Sequence, residues 1–331
     1  MRRVAALLAA ALLGAALLGC GGGGAEPGAP EGATLVLDFQ PNAVHSGIYA
    51  AQANGYFKDA GLDLTIQEPS STADSAKLLE AGRADFAVMD INDFGIARER
   101  GLDLVAIAAI VQRPLAAVIA RDRNEIRTPA DLAGKTIGVT GVPSDDAVLD
   151  TVLRSGGVDP SSVHRVTIGF NAVADLAAGK VDAATGFWNA EGVELQQRGI
   201  PIREFRVDDF GAPRYPELVV ATRANSEQRA SDFLDALQHG YRILGKNPQS
   251  ALDDLLSAVP GLDRDVQESQ LNALTSAKAF SISNEGGPPT ALGSLRRYGS
   301  WLRWATQHGL VNKSASGQIV AGFAYPGARL R

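Results

Sequence analysis

Hydrophobic and polar positions along this chain alternate between two patterns. Short runs of β-branched and aliphatic residues predict buried strands, and stretches in which apolar residues recur every three or four positions predict helices. The first strand is predicted at Thr34 to Phe39, a helix follows over residues 47–58, and a second strand covers 62–67. Gly61 follows the helix and can take the left-handed conformation that ends a helix. This order predicts a β-α-β unit.

The same unit occurs a second time. A helix at 73–81 and a strand at 85–89 complete the first unit. The second unit contains predicted strands at 135–140, 163–168 and 181–185 and predicted helices at 147–155 and 172–178. The segments AGRADFAV (81–88) and AGKVDAAT (178–185) match almost step for step. Strands and helices that alternate in this way predict two mainly parallel sheets, each flanked by helices.

Ligands of parallel α/β sheets bind beyond the carboxyl ends of the strands, so the loops there form the candidate site. Six predicted loops qualify, three from each unit. They are Gln40–Ser46, Glu68–Thr72, Asp90–Asp93, Gly141–Asp145, Gly169–Asn171 and Gly186–Glu191. If the two units face each other, these loops surround one shared cleft.

Two more apolar runs, Pro114 to Asp122 and Pro216 to Arg223, bracket the second unit and are predicted as strands that cross between two lobes. We expect lobe 1 over residues 34–115 and 222–331 and lobe 2 over 116–221. The C-terminal third is predicted to be helical, because its apolar residues step by three and four. These stripes are Leu234, Leu237, Tyr241 and Leu244, and Leu292, Leu295, Gly299 and Leu302. The expected fold class is α/β, with two lobes and a hinge of two crossing strands.

The N-terminus is typical of a secreted lipoprotein. Arg2 and Arg3 precede a run rich in Ala and Leu, which predicts a signal peptide over residues 1–19. The run ends at LLGC, so Cys20, the only cysteine, is the expected lipidation site, with a chance cysteine as the alternative. Residues 20–33, rich in Gly and Pro, are expected to form a flexible tether. We therefore expect an extracytoplasmic protein anchored to the cell membrane by lipid.

Composition argues against several classes of function. The formal net charge of −6 disfavours nucleic acid as a partner. The histidines, at positions 45, 164, 239 and 308, lack metal-ligand spacing, so no metal or other cofactor is expected. The sequence shows no nucleophile with a nearby base and no glycine loop suited to phosphate. A monomeric protein that binds a small molecule is the expectation.

Four segments of the chain are similar to a known family. These are LDFQPNAVHSGIYAAQANGYFKDAGLDLTI, GRADFAVMD, DLAGKTIGVTG and GKVDAATGFWN, in this order. Over residues 34–325 the chain resembles the thiamine-pyrimidine-synthase-like family of substrate-binding proteins of ABC transporters, and Asp38 to His45 is the most specific part. The resemblance implies a type II periplasmic-binding-protein fold that closes on its ligand by a hinge motion. It also implies an ABC permease and its ATPase as partners.

The resemblance further implies a class of ligand. Relatives in this family bind pyrimidine precursors of thiamine, riboflavin or, more distantly, alkanesulfonates and nitrate. Some eukaryotic relatives are enzymes that consume a histidine to make the thiamine pyrimidine, and they carry a lysine beside the Asn-His motif and a cysteine-rich iron-binding segment. This chain has no lysine in that region before Lys58 and no cysteine beyond Cys20. We therefore expect a binding protein and not an enzyme.

Aromatic side chains at the predicted strand ends are candidates for stacking on a flat ligand. Trp188 and Phe39 are the main candidates, and burial in the core is the alternative for both. Asn42 is either a helix cap or a ligand contact, and His45 is either structural or a hydrogen-bonding partner for ring nitrogens. Tyr49 lies one helical turn beyond His45 and can reach the same site.

Acidic loop residues favour a neutral or cationic heterocycle over a small anion. Asp90 and Glu191 would accept hydrogen bonds from an amino group but would repel a sulfonate or nitrate. Ser70, Ser71 and Arg113 keep the anion as an alternative. The predicted ligand-binding residues are Asp38, Phe39, Asn42, His45, Tyr49, Ser70, Ser71, Asp90, Asn92, Arg113, Pro143, Ser144, Phe170, Trp188, Asn189 and Glu191.

Together these features predict a lipid-anchored substrate-binding protein of an ABC importer, with a thiamine pyrimidine precursor or a riboflavin-like heterocycle as its ligand. A binding protein for a small anion, such as taurine, another alkanesulfonate or nitrate, is the first alternative. A sensor domain that passes its ligand to a signalling partner and a pyrimidine-synthase-type enzyme are the others.

Overall fold

The computed structural model describes residues 29–70, 74–122, 125–280, 290–292 and 295–323, with only the backbone described at Glu227 and Leu295. The predicted signal peptide, the lipidation site Cys20 and the first part of the predicted tether lie outside these residues, as does Ser71. The last part of the predicted tether is not a loop, because the first strand already begins at Glu31.

In the described part of the chain, ten strands form two sheets of equal size. They are β1 (Glu31–Val36), β2 (Leu62–Gln67), β3 (Phe86–Asp90), β4 (Leu104–Val111), β5 (Ala116–Arg121), β6 (Thr136–Val139), β7 (His164–Thr167), β8 (Ala183–Phe187), β9 (Ile202–Arg206) and β10 (Leu218–Arg223). The strand order is β2-β1-β3-β10-β4 in one sheet and β7-β6-β8-β5-β9 in the other. In each sheet the first three strands pair in parallel, and the fourth is antiparallel to both neighbours. The repeated unit of the sequence therefore corresponds to a repeated sheet topology.

Helices flank both sheets, and the C-terminal third is helical as predicted. The helices are α1 (Ser46–Ala53), α2 (Tyr56–Asp59), α3 (Asp74–Glu80), α4 (Ile91–Glu99), α5 (Pro143–Ser155), α6 (Ala172–Ala178), α7 (Val193–Gln197), α8 (Glu227–Lys246), α9 (Pro248–Ala258), α10 (Arg264–Ser276), α11 (Leu295–Gln307) and α12 (Ser316–Ala321). None of these described helices combines the length and the apolar character that a membrane span requires.

The chain passes between the sheets twice, through residues 112–115 and 207–217, which we call the first and second crossing segments. The predicted crossing strands contain β5 and β10, and each is the antiparallel fourth strand of the sheet that it enters. The predicted lobe boundary at residue 222 divides β10, although β10 pairs with β3 and β4 along its whole length. We therefore place the return to lobe 1 before Leu218.

Helices begin closer to the strand ends than the pattern predicts. α5 begins at Pro143 instead of Ala147, because the fixed φ of proline suits the first turn of a helix. α4 begins directly after β3, in place of the predicted loop Asp90–Asp93. β8 continues to Phe187 and then into one π-helical turn, Trp188–Gly192, in place of another predicted loop. Several predicted loop residues thus belong to the first turn of a helix.

The apolar stripe of α8 packs into lobe 1, as its spacing predicts. The buried residues of this stripe are Leu234, Leu237, Tyr241 and Leu244. Phe233 also stacks on Phe86 of β3, with 4.0 Å between the ring centroids. In the second predicted stripe, Leu292 and Leu302 are buried and Gly299 is half-buried, whereas the side chain of Leu295 is not described.

Helices α1 and α8 approach each other closely at two glycines. A Cβ atom on Gly240 would lie 1.9 Å from the carbonyl oxygen of Gly47, and one on Gly47 would lie 2.6 Å from the ring of Tyr241. Neither position has room for a side chain. The backbones of the two helices therefore meet, and this contact holds the start of α1 close to the first predicted loop.

Candidate functional site

The carboxyl ends of the parallel strands in both sheets face one cleft between the lobes. The cleft contains about 810 Å³ of empty space, its open mouth included. Lobe 1 contributes the residues after β1 and the junction of β3 with α4, and lobe 2 contributes residues that follow β6, β7 and β8. A cleft shared by both units, as the sequence pattern predicts, is present.

Seven of the predicted ligand-binding residues line this cleft. They are Asp38, Phe39, Asp90, Asn92, Ser144, Phe170 and Glu191. Because they come from both lobes, a molecule in the cleft would contact both. Their role as ligand contacts stays a prediction.

Two phenylalanines meet across the mouth of the cleft. Phe39 follows β1 in lobe 1, Phe170 follows β7 in lobe 2, and the ring centroids lie 4.9 Å apart with an angle of 85° between the ring planes. This edge-to-face geometry is favoured by the quadrupoles of the two rings. Phe170 is nonetheless 44% exposed, which places the pair at the rim. The two lobes therefore lie close enough for aromatic rings to bridge the opening.

The cleft is acidic. The carboxyl groups that line it are those of Asp38, Asp90, Asp93, Asp145 and Glu191. Among the described residues of the lining, none is Lys, Arg or His. Within the same part of the chain, no group of three or more His, Cys, Asp or Glu side chains is arranged to hold a metal ion. Such a cleft repels anions and attracts ligands that carry N–H donors or positive charge.

Asp38 is held by a histidine that does not itself reach the cleft. His45 is inaccessible to solvent, its Nδ1 accepts a hydrogen bond from the backbone N–H of Asn42 at 3.1 Å, and its Nε2 lies 2.9 Å from Oδ1 of Asp38. Because Nδ1 is an acceptor, the proton resides on Nε2 and is donated to Asp38. Asn42 caps the helical turn that follows it, with Oδ1 accepting from the N–H of Val44. Neither Asn42 nor His45 lines the cleft, and both support Asp38 from behind, which is the structural alternative that the sequence leaves open for them.

Two other carboxylates are bonded to the loops of lobe 2. Oδ2 of Asp145 accepts from the N–H groups of Thr140 and Gly141 at 2.6 and 3.1 Å. Oε2 of Glu191 accepts from the N–H of Phe187 at 2.8 Å. Burial raises the pKa of Glu191. These bonds fix the backbone at the ends of β6 and β8, so both carboxylates have defined positions in the cleft.

Asp90 and Asp93 lie at the start of α4. Asp90 caps the helix by accepting from the N–H of Asn92 at 2.6 Å, and burial together with the nearby Glu217 raises its pKa well above the ordinary value. Asp93 makes no hydrogen bond or ion pair with any described residue. Burial, with the charges of Asp90 and Asp145, raises the pKa of Asp93 to about 8. Of the carboxyls in the cleft, Asp93 is thus the one without a protein partner in the described structure.

Trp188, predicted as a stacking face, lies behind the cleft. It is 1% exposed, its Nε1 donates to the carbonyl of Pro114 at 3.0 Å, and the guanidinium of Arg206 lies 4.2 Å from the ring centroid. The position of Trp188 corresponds to the alternative of burial in the core, because successive side chains of a strand point to opposite faces and β8 continues to Phe187. The ring of Phe187 lines the cleft in its place.

Arg113, predicted as the cation of an anion site, does not line the cleft either. Its guanidinium lies 2.7 Å from Oδ2 of Asp208. Asn189 and Tyr49 are buried outside the lining, because the π-helical turn and α1 pack against the core there. Burial and the nearby charge of Glu68 raise the pKa of Tyr49 to about 12. The structure thus removes three more predicted residues from the cleft.

Ser70 and Pro143 have structural positions. The hydroxyl of Ser70 donates to Oδ2 of Asp74 at 2.6 Å, at the start of α3. Pro143 is exposed and is the first residue of α5, so it starts the helix outside the cleft lining. Ser71 lies outside the described residues.

Several residues that line the cleft are absent from the predicted set. Asp93 and Asp145 lie inside two of the predicted loops, so loop position combined with a carboxyl group is a signal that could have identified them. Thr140 and Val142 both follow the end of β6, and Phe187 lies in the loop predicted at the end of β8. For Phe187, only the true end of the strand distinguishes its face from that of Trp188.

A model of a protein family described as NMT1/THI5 like matches residues 42–251 of the chain. The chain belongs to the NMT1/THI5-like family. The match begins in the turn that supports Asp38 and ends in α9, and it includes the parts of both lobes that line most of the cleft. Membership of the NMT1/THI5-like family confirms the resemblance to thiamine-pyrimidine-synthase-like proteins.

Two relatives of this NMT1/THI5-like chain have names of different kinds. It is 33% identical over 269 residues to the formylaminopyrimidine-binding protein of Halalkalibacterium halodurans, covering 78% of this chain and 80% of the relative. It is 26% identical over 235 residues to the 4-amino-5-hydroxymethyl-2-methylpyrimidine phosphate synthase of Legionella pneumophila, covering 69% of this chain and 74% of the relative. One relative is thus named as a binding protein and the other as a synthase.

The fold is also found among solved structures. The alkanesulfonate-binding protein SsuA from Xanthomonas axonopodis pv. citri matches with a TM-score of 0.67 and 18% sequence identity, over 89% of this chain and 98% of that protein. At this identity the likeness shows the fold alone. It confirms the predicted two-lobed α/β fold of type II periplasmic binding proteins for this NMT1/THI5-like chain.

Proposed function

We propose that this NMT1/THI5-like protein is the substrate-binding lipoprotein of an ABC importer and that its ligand is an amino-substituted pyrimidine related to thiamine precursors. The proposal rests on the cleft, which has acidic and apolar walls and no Lys, Arg or His among its described lining residues. The similarity to a relative named as a formylaminopyrimidine-binding protein supports the choice of pyrimidine.

An aminopyrimidine complements the groups in this cleft. Its exocyclic amino group donates hydrogen bonds, an adjacent ring nitrogen accepts one, and both faces of its ring are apolar. A protonated Asp93 offers an O–H donor beside an acceptor oxygen, which matches that edge of the ring. Phe39 and Phe187 line the cleft and offer aromatic surface for stacking. Contacts from both lobes would favour the closed state over the open one.

The small-anion alternative finds no cationic partner among the described residues that line the cleft. Arg113 is engaged by Asp208, and Ser70 donates to Asp74 and not to the cleft. An alkanesulfonate or nitrate would instead face the carboxyl groups of the lining, and repulsion between like charges would oppose its binding.

Thermal unfolding of the mature protein with candidate ligands tests the proposal. We expect 4-amino-5-hydroxymethyl-2-methylpyrimidine or its formylaminopyrimidine relative to raise the melting temperature, because a ligand present at a hundred times its Kd adds about 2.7 kcal/mol to the unfolding free energy. Taurine and nitrate are expected to have no effect, and riboflavin serves as a larger heterocycle for comparison. Stabilisation by taurine or nitrate without stabilisation by either pyrimidine would disprove the ligand assignment.

A pyrimidine-synthase-type enzyme is the competing function within the family. The enzymes that the resemblance suggests consume a histidine, whereas His45 is sealed from solvent and both of its ring nitrogens are hydrogen-bonded. We expect the mass of the protein to stay unchanged after incubation with pyridoxal phosphate and iron. A mass change that maps to His45 would establish the enzyme instead.

We further propose that Cys20 is acylated and holds the protein on the outer side of the cytoplasmic membrane, where it delivers ligand to a permease. Two or more acyl chains are needed for stable anchoring, since each buried methylene contributes only about 0.8 kcal/mol. Cys20→Ser is expected to move the protein from the membrane fraction to the soluble fraction without changing ligand binding. Retention of this variant in membranes would contradict the anchor.

A further inference from the structure

Glu217 lies where the two lobes join, and it has no contact with solvent. It ends the second crossing segment, where its backbone N–H donates to the carbonyl of Val111 at 3.0 Å and its carbonyl accepts from the N–H of Ile91 at 2.9 Å. Oε2 of its side chain accepts from the N–H groups of Leu115 and Ala116 at 2.5 and 3.3 Å. One residue therefore binds the first crossing segment, the start of β5 and the start of α4.

The second carboxyl oxygen of Glu217 faces another acid. Oε1 is buried and receives no hydrogen bond from an N–H or from a Ser, Thr or Tyr hydroxyl of the described residues. The side chain of Asp90 lies within hydrogen-bonding reach of the Glu217 carboxyl group, and Asp90 pairs across the sheet with Leu218, the residue after Glu217. Two carboxyl groups form a hydrogen bond only if one of them carries a proton. Repulsion between two negative charges in such a buried place also disfavours the state in which both carboxyl groups are ionised.

We propose that Asp90 and Glu217 share one proton across the junction of the lobes, and that Glu217 is thereby a positioning residue for the cleft. The Asp90 O–H donates to Oε1 of Glu217, because Glu217 already accepts two backbone N–H groups that stabilise its ionised form. Oδ1 of Asp90 accepts from the N–H of Asn92. One proton thus links Asp90, which lines the cleft, to Glu217, which lies where the two lobes join. The role of Glu217 in ligand binding rests on the proposed function. The shared proton is independent of that function.

Among the described residues around the pair, no positive charge is directed at either carboxyl group. Asp38 and Asp93 approach from lobe 1, Asp208 approaches from the second crossing segment, and the buried hydroxyl of Tyr215 lies nearby. The cations of this region are directed elsewhere, because Arg113 and Arg214 both pair with Asp208 and His45 pairs with Asp38. Burial raises the pKa of both Asp90 and Glu217. A proton is therefore what neutralises the pair.

The number of protons can be measured from the pH dependence of unfolding. Between about pH 5 and pH 7 the carboxyls of an unfolded chain are ionised, so each proton that the folded protein retains makes the unfolding equilibrium constant rise about tenfold per pH unit. Asp90→Asn and Glu217→Gln are matched variants, because each amide keeps a hydrogen bond between the two side chains but has no proton to lose. Urea unfolding of the ligand-free protein gives this slope without knowledge of the ligand.

We expect each single variant to reduce the slope by one tenfold step per pH unit, and the double variant D90N/E217Q to show the same single step. A reduction of two steps in the double variant would mean that each carboxyl has its own proton. An unchanged slope in both single variants would mean that neither carboxyl group retains a proton in the folded protein. Either result overturns the proposal. In comparison, the slope of D90N/D93N is expected to fall by two tenfold steps per pH unit, because Asp93 retains a proton of its own.

Infrared spectroscopy provides a second measurement that does not require reversible unfolding. The C=O stretching band of a protonated carboxylic acid is expected in the difference spectrum of wild type minus Asp90→Asn and again in that of wild type minus Glu217→Gln. A band that persists unchanged in Glu217→Gln would overturn the shared proton. If 4-amino-5-hydroxymethyl-2-methylpyrimidine fails to bind the wild-type protein, the proposed function fails, but the proton count is still decided by these spectra and slopes.

Discussion

Asp38 and Asp93 occupy the same cleft but have different surroundings. The Oδ1 atom of Asp38 accepts a hydrogen bond from the Nε2–H of His45 at 2.9 Å, which fixes the direction of the Asp38 side chain. Asp93 receives no hydrogen bond from the described residues, and its pKa is raised to about 8 by burial and by its acidic neighbours. A buried carboxyl without a partner is costly in the free protein. We therefore expect a ligand to supply the partner of Asp93 and not that of Asp38.

Asp93→Ala is expected to weaken binding of 4-amino-5-hydroxymethyl-2-methylpyrimidine by about 5- to 150-fold, because truncation leaves the amino group and the ring nitrogen of the ligand without partners, at a cost of about 1–3 kcal/mol. Isothermal titration calorimetry measures the change. Asp63→Ala, at an exposed position of β2, is the matched control and should bind like the wild type. Equal affinities for Asp93→Ala and the control would exclude Asp93 from the site.

A second variant, Asp93→Asn, should change how stability depends on pH, because an amide has no proton to lose. The folded pKa of Asp93 lies above its unfolded value, so the folded protein keeps a proton that the unfolded chain releases above about pH 4. Asp93 therefore does not lower the unfolding free energy below about pH 4. As the pH rises from there toward about 8, Asp93 lowers the unfolding free energy by up to about 1.4 kcal/mol per pH unit. We expect Asp93→Asn to flatten this decline in urea unfolding experiments. A decline as steep as that of the wild type would show that Asp93 is ionised in the folded protein.

At the scale of elements, the contact of α1 with α8 holds part of the site in place. The backbones meet at Gly47 and Gly240, and the hydroxyl of Tyr241 donates to the carbonyl of Val44 at 3.0 Å. Val44 belongs to the turn between Asn42 and His45 that supports Asp38. The packing of a C-terminal helix is thus transmitted to a carboxyl in the cleft through a few contacts.

Gly240→Ala is expected to lower the unfolding free energy by about 3 kcal/mol, because the new methyl group would overlap the backbone of α1. Gly245→Ala lies on the same helix with no atom within 4 Å of the added Cβ, and it should stabilise the protein by up to about 1 kcal/mol through helix propensity. Urea unfolding of the two variants makes the comparison. If both substitutions stabilised the protein, the close approach of the two helices would be wrong.

The sequence predicts most strands and helices, because each is a local pattern with a glycine or proline near its end. β2 and α6 are predicted to the residue, and the alternation of strands and helices predicts the parallel parts of both sheets. The antiparallel position of β5 and β10 within the sheets is not a local property. It depends on pairing with strands far away in the sequence, which no periodicity reports.

The site is predicted less well than the fold, for two physical reasons. The choice between Phe187 and Trp188 depends on where β8 ends, and an error of one residue moves a side chain to the opposite face. The partners of Arg113 and His45 are also invisible to sequence spacing, since Asp208 is distant and the proton position on His45 follows from a backbone N–H. Loop position did identify the acidic character of the cleft through Asp90 and Glu191.

For the whole molecule, the important contacts are those that join the lobes away from the hinge. Phe39 and Phe170 meet at the mouth, and the Nε1 of Trp304 in α11 donates to Oγ1 of Thr151 in α5 at 3.0 Å. Thr151 donates its own hydroxyl proton to the carbonyl of Ala147, so its oxygen is free to accept from Trp304. These contacts stabilise the arrangement in which the cleft is narrow.

Phe170→Ala is expected to weaken binding of the pyrimidine by about 2- to 12-fold, because an edge-to-face aromatic pair contributes about 0.5–1.5 kcal/mol. Its ligand-induced compaction in small-angle X-ray scattering should decrease as well. Val166→Ala is the control, since Val166 is an equally exposed apolar residue of lobe 2 that does not line the cleft. Identical affinity and compaction in both variants would mean that the aromatic pair does not hold the lobes together.

The strand order also has a consequence for how the chain folds during its synthesis. All strands of lobe 2 are contiguous between residues 116 and 206, whereas β10 must insert between β3 and β4 after lobe 2 has been synthesised. Until then β3 and β4 each present an unpaired edge, which invites pairing with other chains. A nascent polypeptide that ends before residue 218 therefore has one complete sheet and one sheet without its fourth strand, β10. Such an unfinished chain is the form most in need of a chaperone during synthesis.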